Sequence, residues 1–538
     1  MDLPRFLQLA LQELESGAAD KCFGICNEIL AENPGLIQAL FLRGCAAYQI
    51  GDLDRSVSDL DTVHGNHPEH LHAAYYLGRS LRAAGKAEEA LAPLRLALGE
   101  KQFEVLARYE LAVCLTRLRQ RPEAIELYQS ILDVQPNNVQ VAANLATVLE
   151  RENRLDEAES WTAKALAMDA TNETARMTRT TLDRRSGKYP EAAQGLRRLI
   201  PETSSFTNRS IAWNNLGQCL EGQEEWDEAF DAFSESNRIL KESHTGSRPD
   251  ERGPHGMQTL ARIHDWLQGT PVKNWNRPST NDAGGIAFLV GFPRSGTTLL
   301  DRMLGSHPQV EVLEEKSLFS SLHQDWAEPG TLEAIANLSD AQITDGRNRY
   351  RQEMSRHRRL PERSLVIDKL PLNLAYLFMI NRLFPDAPVI FLQRHPMDAC
   401  ISCYFQAFEL KGSMGYFLDI QQTARYYDAV MQVAVSSMKQ IDNPVHQLRY
   451  EDLVKKPQDQ LALLFDFLDL EKHDSTLDYR HQGGGEASDT PSYQQVTQPL
   501  HTRSIGRWRN FSSQMESSLS ILRPWVEQFG YQESDTST

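Results

Sequence analysis

The sequence predicts an all-α repeat superhelix followed by an α/β three-layer domain with a central parallel sheet. Three observations predict it. Small residues recur at a spacing of about 34 through the first ~245 residues. From residue 284 onward, short apolar runs alternate with amphipathic ones, the order of a parallel sheet covered on both faces. The first of those runs, 286–290, turns through Gly291, Pro293 and Gly296 into a helical spacing of Leu299, Leu300, Met303 and Leu304. That reads as strand, tight loop, helix.

Composition bounds the rest. A length of 538 residues suggests three to four domain-sized units, and 41% hydrophobic content is ample for folded cores. The formal charge of -17 argues against a general nucleic-acid binder or a coat for anionic membranes. Seven scattered cysteines suggest free thiols in a reducing compartment rather than a disulfide framework. The N-terminus is an amphipathic helix with acids inside it, unlike a signal peptide, and no window has the ~18 apolar residues of a membrane span. A soluble, cytoplasmic protein is the expectation.

In the repeat region, 1–243, small residues fall at Ala10, Gly44, Gly78, Ala112 and Ala146, and again at Cys22, Ser56, Ala90, Ala124 and Ala158. Turn glycines follow at Gly17, Gly51 and Gly85, and prolines end units at Pro34, Pro68 and Pro136. The pattern continues at Thr180, Gly187 and Ala192 and returns at Gly217 and Ala229. Small residues let paired helices approach closely while larger ones fill the gaps. These positions, with Tyr-Glu-Leu-Ala-Val (109–113), resemble the tetratricopeptide repeat over about seven units. The resemblance implies a groove for a protein or peptide; dimerisation or spacing is the alternative role, and oligomeric state stays open. Residues 244–283 are polar and rich in turn formers, with one helix around 257–267, and read as a linker.

The domain 284–538 carries strand candidates at 286–290, 364–367, 388–393 and 446–449, and helices at 298–305, 372–383, 397–407, 414–439 and 458–470. Ligands in such sheets bind at the C-terminal strand ends. The spacing Gly291-x4-Gly296-Thr297-Thr298 is that of a phosphate-binding loop, with backbone N–H groups and a helix N-terminus around an anion. Thr297 stands where an ATPase carries lysine, and the cation sits inside the loop as Arg294. The run 388–393 ends in Arg394 rather than a metal-binding aspartate, and an arginine can fork onto another phosphate. Two anion pockets and no evident metal fit a nucleotide with phosphates at both ends.

The loop Pro293-Arg-Ser-Gly-Thr-Thr298, the Arg394…Ser402 pair and Arg-Tyr-Glu-Asp-Leu (449–453) resemble the sulfotransferases that use 3′-phosphoadenosine 5′-phosphosulfate (PAPS). The resemblance covers roughly residues 285–525 and is closest to the protein-tyrosine sulfotransferase branch. It implies that Arg294, Ser295, Gly296, Thr297 and Thr298 hold the 5′-phosphosulfate. Arg394 and Ser402 would then bind the 3′-phosphate, and Tyr450 would lie near the nucleotide. Glu315 matches the branch's catalytic base, with Glu314 as its neighbour and rival. Lys369 matches a lysine at the bridging oxygen. Ser492 matches a serine that stabilises the sulfuryl group, with Thr490 and Tyr493 as alternatives.

The chemistry agrees. Sulfuryl transfer is an in-line displacement whose spreading charge calls for placed cations, here Arg294 and Lys369. A phenol acceptor, with a pKa near 10, needs a base. His307 and His395 are alternative bases, as the resemblance to cytosolic members of the superfamily implies, but His307 is expected to close its helix before Pro308 and His395 to pack beside Arg394. Cys400 and Cys403 share a helix without a His partner and read as core thiols rather than zinc ligands. Gly483-Gly-Gly485 suggests a lid before Ser492. Three functions follow: a sulfotransferase for protein tyrosine, one for a carbohydrate, lipid or small-molecule hydroxyl, or a repeat scaffold that binds nucleotide without turnover. The first leads; Asp301, where a basic residue suited to acidic peptides is expected, is the support for the second, and Glu315 and Lys369 count against the third.

Overall fold

The computed structural model describes residues 2–243, 249–269, 272, 275, 284–319, 331–360, 362–408, 410–473, 476 and 502–531. They form two compact units, Met1–Leu182 and Asp183–Thr538.

The repeat region consists of seven helix pairs among the described residues, from Leu3–Glu15 with Ala19–Glu32 to Phe206–Gly222 with Trp226–Ser243. The recurring small residues sit where the helices of a pair touch. A Cβ on Gly44 would lie 2.7 Å from Leu60 Cγ, on Gly78 2.5 Å from Leu94 Cγ, and on Gly217 2.8 Å from the Phe233 ring. Close approach of the two backbones therefore requires the missing side chain. The turn between paired helices needs a left-handed residue. Gly17, Gly51, Gly85 and Gly187 supply it with φ of 77–86°, and Arg119, Asn153 and Glu224 adopt φ of 61–65° at the same phase.

In the second unit, five parallel strands are ordered β2-β3-β1-β4-β5: β1 Ile286–Gly291, β2 Val310–Glu314, β3 Leu365–Lys369, β4 Val389–Gln393 and β5 Val445–Arg449. β1, β3 and β4 are nearly continuous buried runs, as a sheet covered on both faces requires. Four strands coincide with the predicted runs; β2 is additional. Its sequence Val-Glu-Val-Leu-Glu carries a buried glutamate instead of an unbroken apolar run, and that carboxylate is satisfied locally. Glu311 accepts the N–H groups of Arg359 and Leu360 at 2.6 and 3.1 Å and the Arg358 Nε at 2.9 Å. Helices absent from the sequence reading, among them Asp340–His357 and Glu516–Gln528, also belong to this unit.

The helix Met257–Gly269, within the predicted linker, packs on helix Ile420–Met438. Its Gln268 side chain reaches Ser436 Oγ at 3.2 Å. The last repeat pair belongs to the same compact unit as the sheet. Asn214 and Asn237 donate to the carbonyls of Phe405 and Tyr404 at 2.8 and 2.9 Å, and Phe233 stacks on Phe405 with ring centroids 4.0 Å apart.

Among the described residues, no helix is long and apolar enough to cross a membrane. All seven cysteines are buried free thiols, and Cys403 donates to the Pro293 carbonyl at 3.3 Å, tying its helix to the loop.

Candidate functional site

Strand register builds the site. β1, β3 and β4 lie side by side in parallel, so the loop after Gly291, Lys369 at the end of β3 and Arg394 after β4 all emerge at one edge. β2 lies beside β3 with Glu314 opposite Lys369, so Glu314 and the next residue, Glu315, reach the same edge.

Helix Thr297–Gly305 starts at Gly296, in the left-handed region at φ 97°, with no side-chain cap. A Cβ on Gly296 would stand 2.3 Å from Tyr450 Cδ2, so the loop and the Tyr450 ring fit only around glycine. Arg294 also has positive φ, at 67°. Such backbone strain persists where the surroundings over-determine it. Its Nε donates to Ser402 Oγ at 3.3 Å, and its carbonyl accepts from Arg394 Nη1 at 2.8 Å. Arg394 also lies over the Tyr450 ring, 5.1 Å from its centroid. Desolvation, joined by the nearby charges of Arg394 and Arg507, pushes the Arg294 guanidinium down to about 10. Arginines crowded this way favour an anionic occupant, which would relieve their repulsion.

The second cluster surrounds Lys369, whose side chain is fully buried. Its Nζ lies 3.2 Å from Glu315 Oε1, 3.3 Å from Glu314 Oε1 and 3.6 Å from Asp301 Oδ2. Burial would by itself lower the ammonium pKa, but Asp301, Glu315 and Glu314 outweigh it and hold it above its ordinary value. Glu315 is held at φ 51° by its N–H bond of 2.7 Å to the Lys369 carbonyl. Its side chain is 43% exposed against 19% for Glu314, so Glu315 is the more open of the two carboxylates.

Arg294, Ser402, Arg394 and Tyr450 thus meet in one cluster around the loop, while Lys369, Glu314 and Glu315 meet in the other. Ser295, Thr297 and Thr298 are buried in the loop and first turn. Ser492, Thr490, Tyr493 and the 483–485 glycines lie outside the described residues. His307 takes a structural place, with Nδ1 accepting from the Gln309 N–H at 3.2 Å and Nε2 on the Glu471 carbonyl at 2.9 Å. His395 stacks on Trp508, centroids 5.5 Å apart and planes 11° apart. Among the described residues, no group of three or more His, Cys, Asp or Glu is placed to hold a metal ion.

Sequence reasoning missed the segment after residue 502. The Ser504 carbonyl accepts from Arg394 Nη2 at 2.5 Å, and Asp398 accepts the N–H groups of Gly506 and Trp508 at 2.7 and 2.9 Å. The available signal was Arg503-Ser-Ile-Gly-Arg-Trp-Arg509, a glycine turn flanked by cations and an aromatic ring.

Fold and site define a class: helical repeats followed by an α/β domain whose first strand turns through a glycine-containing loop into a helix. Comparison with known proteins gives segment matches. Residues 287–474 match the Sulfotransferase family, and residues 41–105, 115–182 and 181–239 match tetratricopeptide repeats. A segment that matches the Sulfotransferase family thus follows segments that match tetratricopeptide repeats. An uncharacterized protein of Aquifex aeolicus is 25% identical over 59% of this chain, which spans only 41% of that protein's length. Protein-tyrosine sulfotransferase 1 of Danio rerio is 24% identical over 46% of this chain and 72% of its own, and a putative protein-tyrosine sulfotransferase of Caenorhabditis briggsae is 26% identical over 47% and 90%. Among solved structures, MamA matches 31% of this chain and 91% of its own at 18% identity, with a TM-score of 0.29.

Proposed function

We propose that the C-terminal domain transfers a sulfuryl group from PAPS to a hydroxyl acceptor, with a protein or peptide tyrosine as the leading candidate. The observation that carries this reading is the contact of Lys369 Nζ with Glu315 Oε1, 3.2 Å, at the strand edge that also holds the Arg294 loop. The donor supplies a sulfuryl group on a good leaving phosphate. Arg294, with the first-turn N–H groups of the helix, receives the 5′ end; Arg394 and Ser402 receive the 3′-phosphate beside Tyr450. Glu315 takes the acceptor proton as the acceptor oxygen bonds to sulfur. Lys369 stabilises the charge left on the bridging oxygen as its bond to sulfur breaks. Ser492 is proposed to steady the transferred group. No step requires a metal. The repeats would select or present the acceptor.

A second reading has its own support. Three carboxylates, Asp301, Glu314 and Glu315, stand around one lysine, a poor reception for an acidic peptide. This favours a carbohydrate, lipid or small-molecule hydroxyl.

The test has two parts. Calorimetry with 3′-phosphoadenosine 5′-phosphate (PAP) is expected to show tight binding that Arg394→Ala abolishes; no binding by the intact chain would end this reading. Radiolabelled PAPS incubated with tyrosine peptides, and separately with glycan and lipid fractions of a host extract, then identifies the acceptor class. PAP binding without label transfer to any fraction would instead favour a nucleotide-binding scaffold.

A further inference from the structure

Asp301 has no part in the roles assigned above, yet it is built into the same cluster. It lies one turn into helix Thr297–Gly305, only 7% exposed, in a core with Leu300, Met303 and Leu304. Its Oδ2 is 3.6 Å from Lys369 Nζ. The three carboxylates around the ammonium differ in freedom: Asp301 is fixed on a packed helix, Glu314 ends a strand, and Glu315 is the exposed one. A buried ammonium left without a counter-charge is strongly disfavoured. If Glu315 turns to an acceptor hydroxyl, a carboxylate that cannot leave must stay with the lysine.

We propose that Asp301 is the positioning residue of the transfer site, holding the Lys369 ammonium at the end of β3 so that Glu315 can release it and receive the acceptor's proton. This rests on the roles proposed above for Lys369 and Glu315. It also explains why position 301 is acidic: a cation there would stand within contact distance of Lys369.

A pH signature follows. Burial pushes Asp301 up to about 7, against the opposing pull of Lys369, with the negative charge of Glu314 adding to the rise and Arg302 on its own helix reducing it. Glu315 faces the same ammonium. Protonation of Asp301 removes the fixed counter-charge and draws Glu315 back onto the lysine. Turnover should therefore fall as pH drops through about 7.

The experiment compares wild type, Asp301→Asn and Asp301→Glu in label transfer from PAPS to host-extract acceptors, across pH. Asp301→Asn is expected to lower kcat about tenfold, to leave KM for PAPS nearly unchanged, and to lose the limb near neutrality; Asp301→Glu restores most of kcat. Wild-type kcat and an unchanged pH profile in Asp301→Asn would overturn the proposal. So would a lost kcat with the limb intact, or an Asp301→Glu variant that folds but does not recover. A second readout needs no turnover: the Lys369 side-chain resonance should titrate at lower pH in Asp301→Asn, and unchanged titration sinks the inference. Failure of the wild type to bind PAP or transfer label counts against the proposed function instead.

Discussion

Glu221, in the last turn of helix Phe206–Gly222, grips Arg507 with both carboxylate oxygens, Oε1 on Nε and Oε2 on Nη2. A repeat helix thereby holds the segment whose Ser504 carbonyl meets Arg394. The side chains are 21% and 16% exposed, so the pair is shielded enough to count. Glu221→Ala should destabilise the second unit by about 1–3 kcal/mol. Chemical denaturation measures this, and PAP affinity should fall with it.

The same packing predicts where the chain can be cut. A fragment starting at residue 183 keeps Asn214, Asn237 and Glu221 and should bind PAP like the whole chain. One starting at residue 244 loses the partners of the buried Tyr404 and Phe405 carbonyls. It should be unstable or bind PAP much more weakly, as titration of the two fragments will tell.

The repeat turns carry a graded prediction. A left-handed non-glycine residue costs about 1–2 kcal/mol, partly offset by the entropy glycine adds to the unfolded chain. Glu224→Gly and Arg119→Gly, at φ 63° and 65°, should stabilise by up to about 1 kcal/mol. Asn153→Gly should be nearly neutral, because asparagine tolerates this conformation. Conversely, Gly78→Ala must push against Leu94 and should cost about 1–3 kcal/mol. Denaturation midpoints rank all four.

Asp368 gives stability a pH dependence. It is 1% exposed, accepts from the Tyr350 hydroxyl at 2.8 Å, and is pushed by burial up to about 7 despite that bond. The unfolded value is near 3.9. Between the two, the folded chain holds a proton that the unfolded chain has released. The stabilisation present in full below about 4 is therefore lost as pH rises through about 7, on the order of a few kcal/mol. Asp368→Asn should flatten that part of a melting-temperature profile; an unchanged slope would count against this ionisation.

At the loop before helix Thr297–Gly305, Gly296→Ala combines a left-handed backbone with a Cβ 2.3 Å from the Tyr450 ring. Loss of PAP binding by two orders of magnitude or more, about 3 kcal/mol, is expected. Lys369→Ala and Glu315→Ala should instead spare PAP binding and lower transfer by about 100-fold or more. Calorimetry and label transfer on the same preparations separate the two outcomes.

Local periodicity was legible in the sequence. Helix pairs announced themselves through phased residues such as Gly44 and Ser56, because two backbones cannot approach past a large side chain. Three strands showed as apolar runs and a fourth as the short segment 446–449, and the Gly291-x4-Gly296 spacing marked the loop, because a tight turn onto a helix N-terminus constrains residue type at fixed distances. What sequence alone determined was therefore the set of elements and the loop between two of them. Tertiary structure decided which distant groups meet. β2 brings Glu314 and Glu315 to Lys369 only through its register with β3, and Asp301 joins them because its helix packs under that edge. Asn214 and Asn237 find the Tyr404 and Phe405 carbonyls across more than 160 residues of chain. Spacing along a helix or turn is set by neighbouring residues, whereas these meetings are set by burial of the whole unit's core.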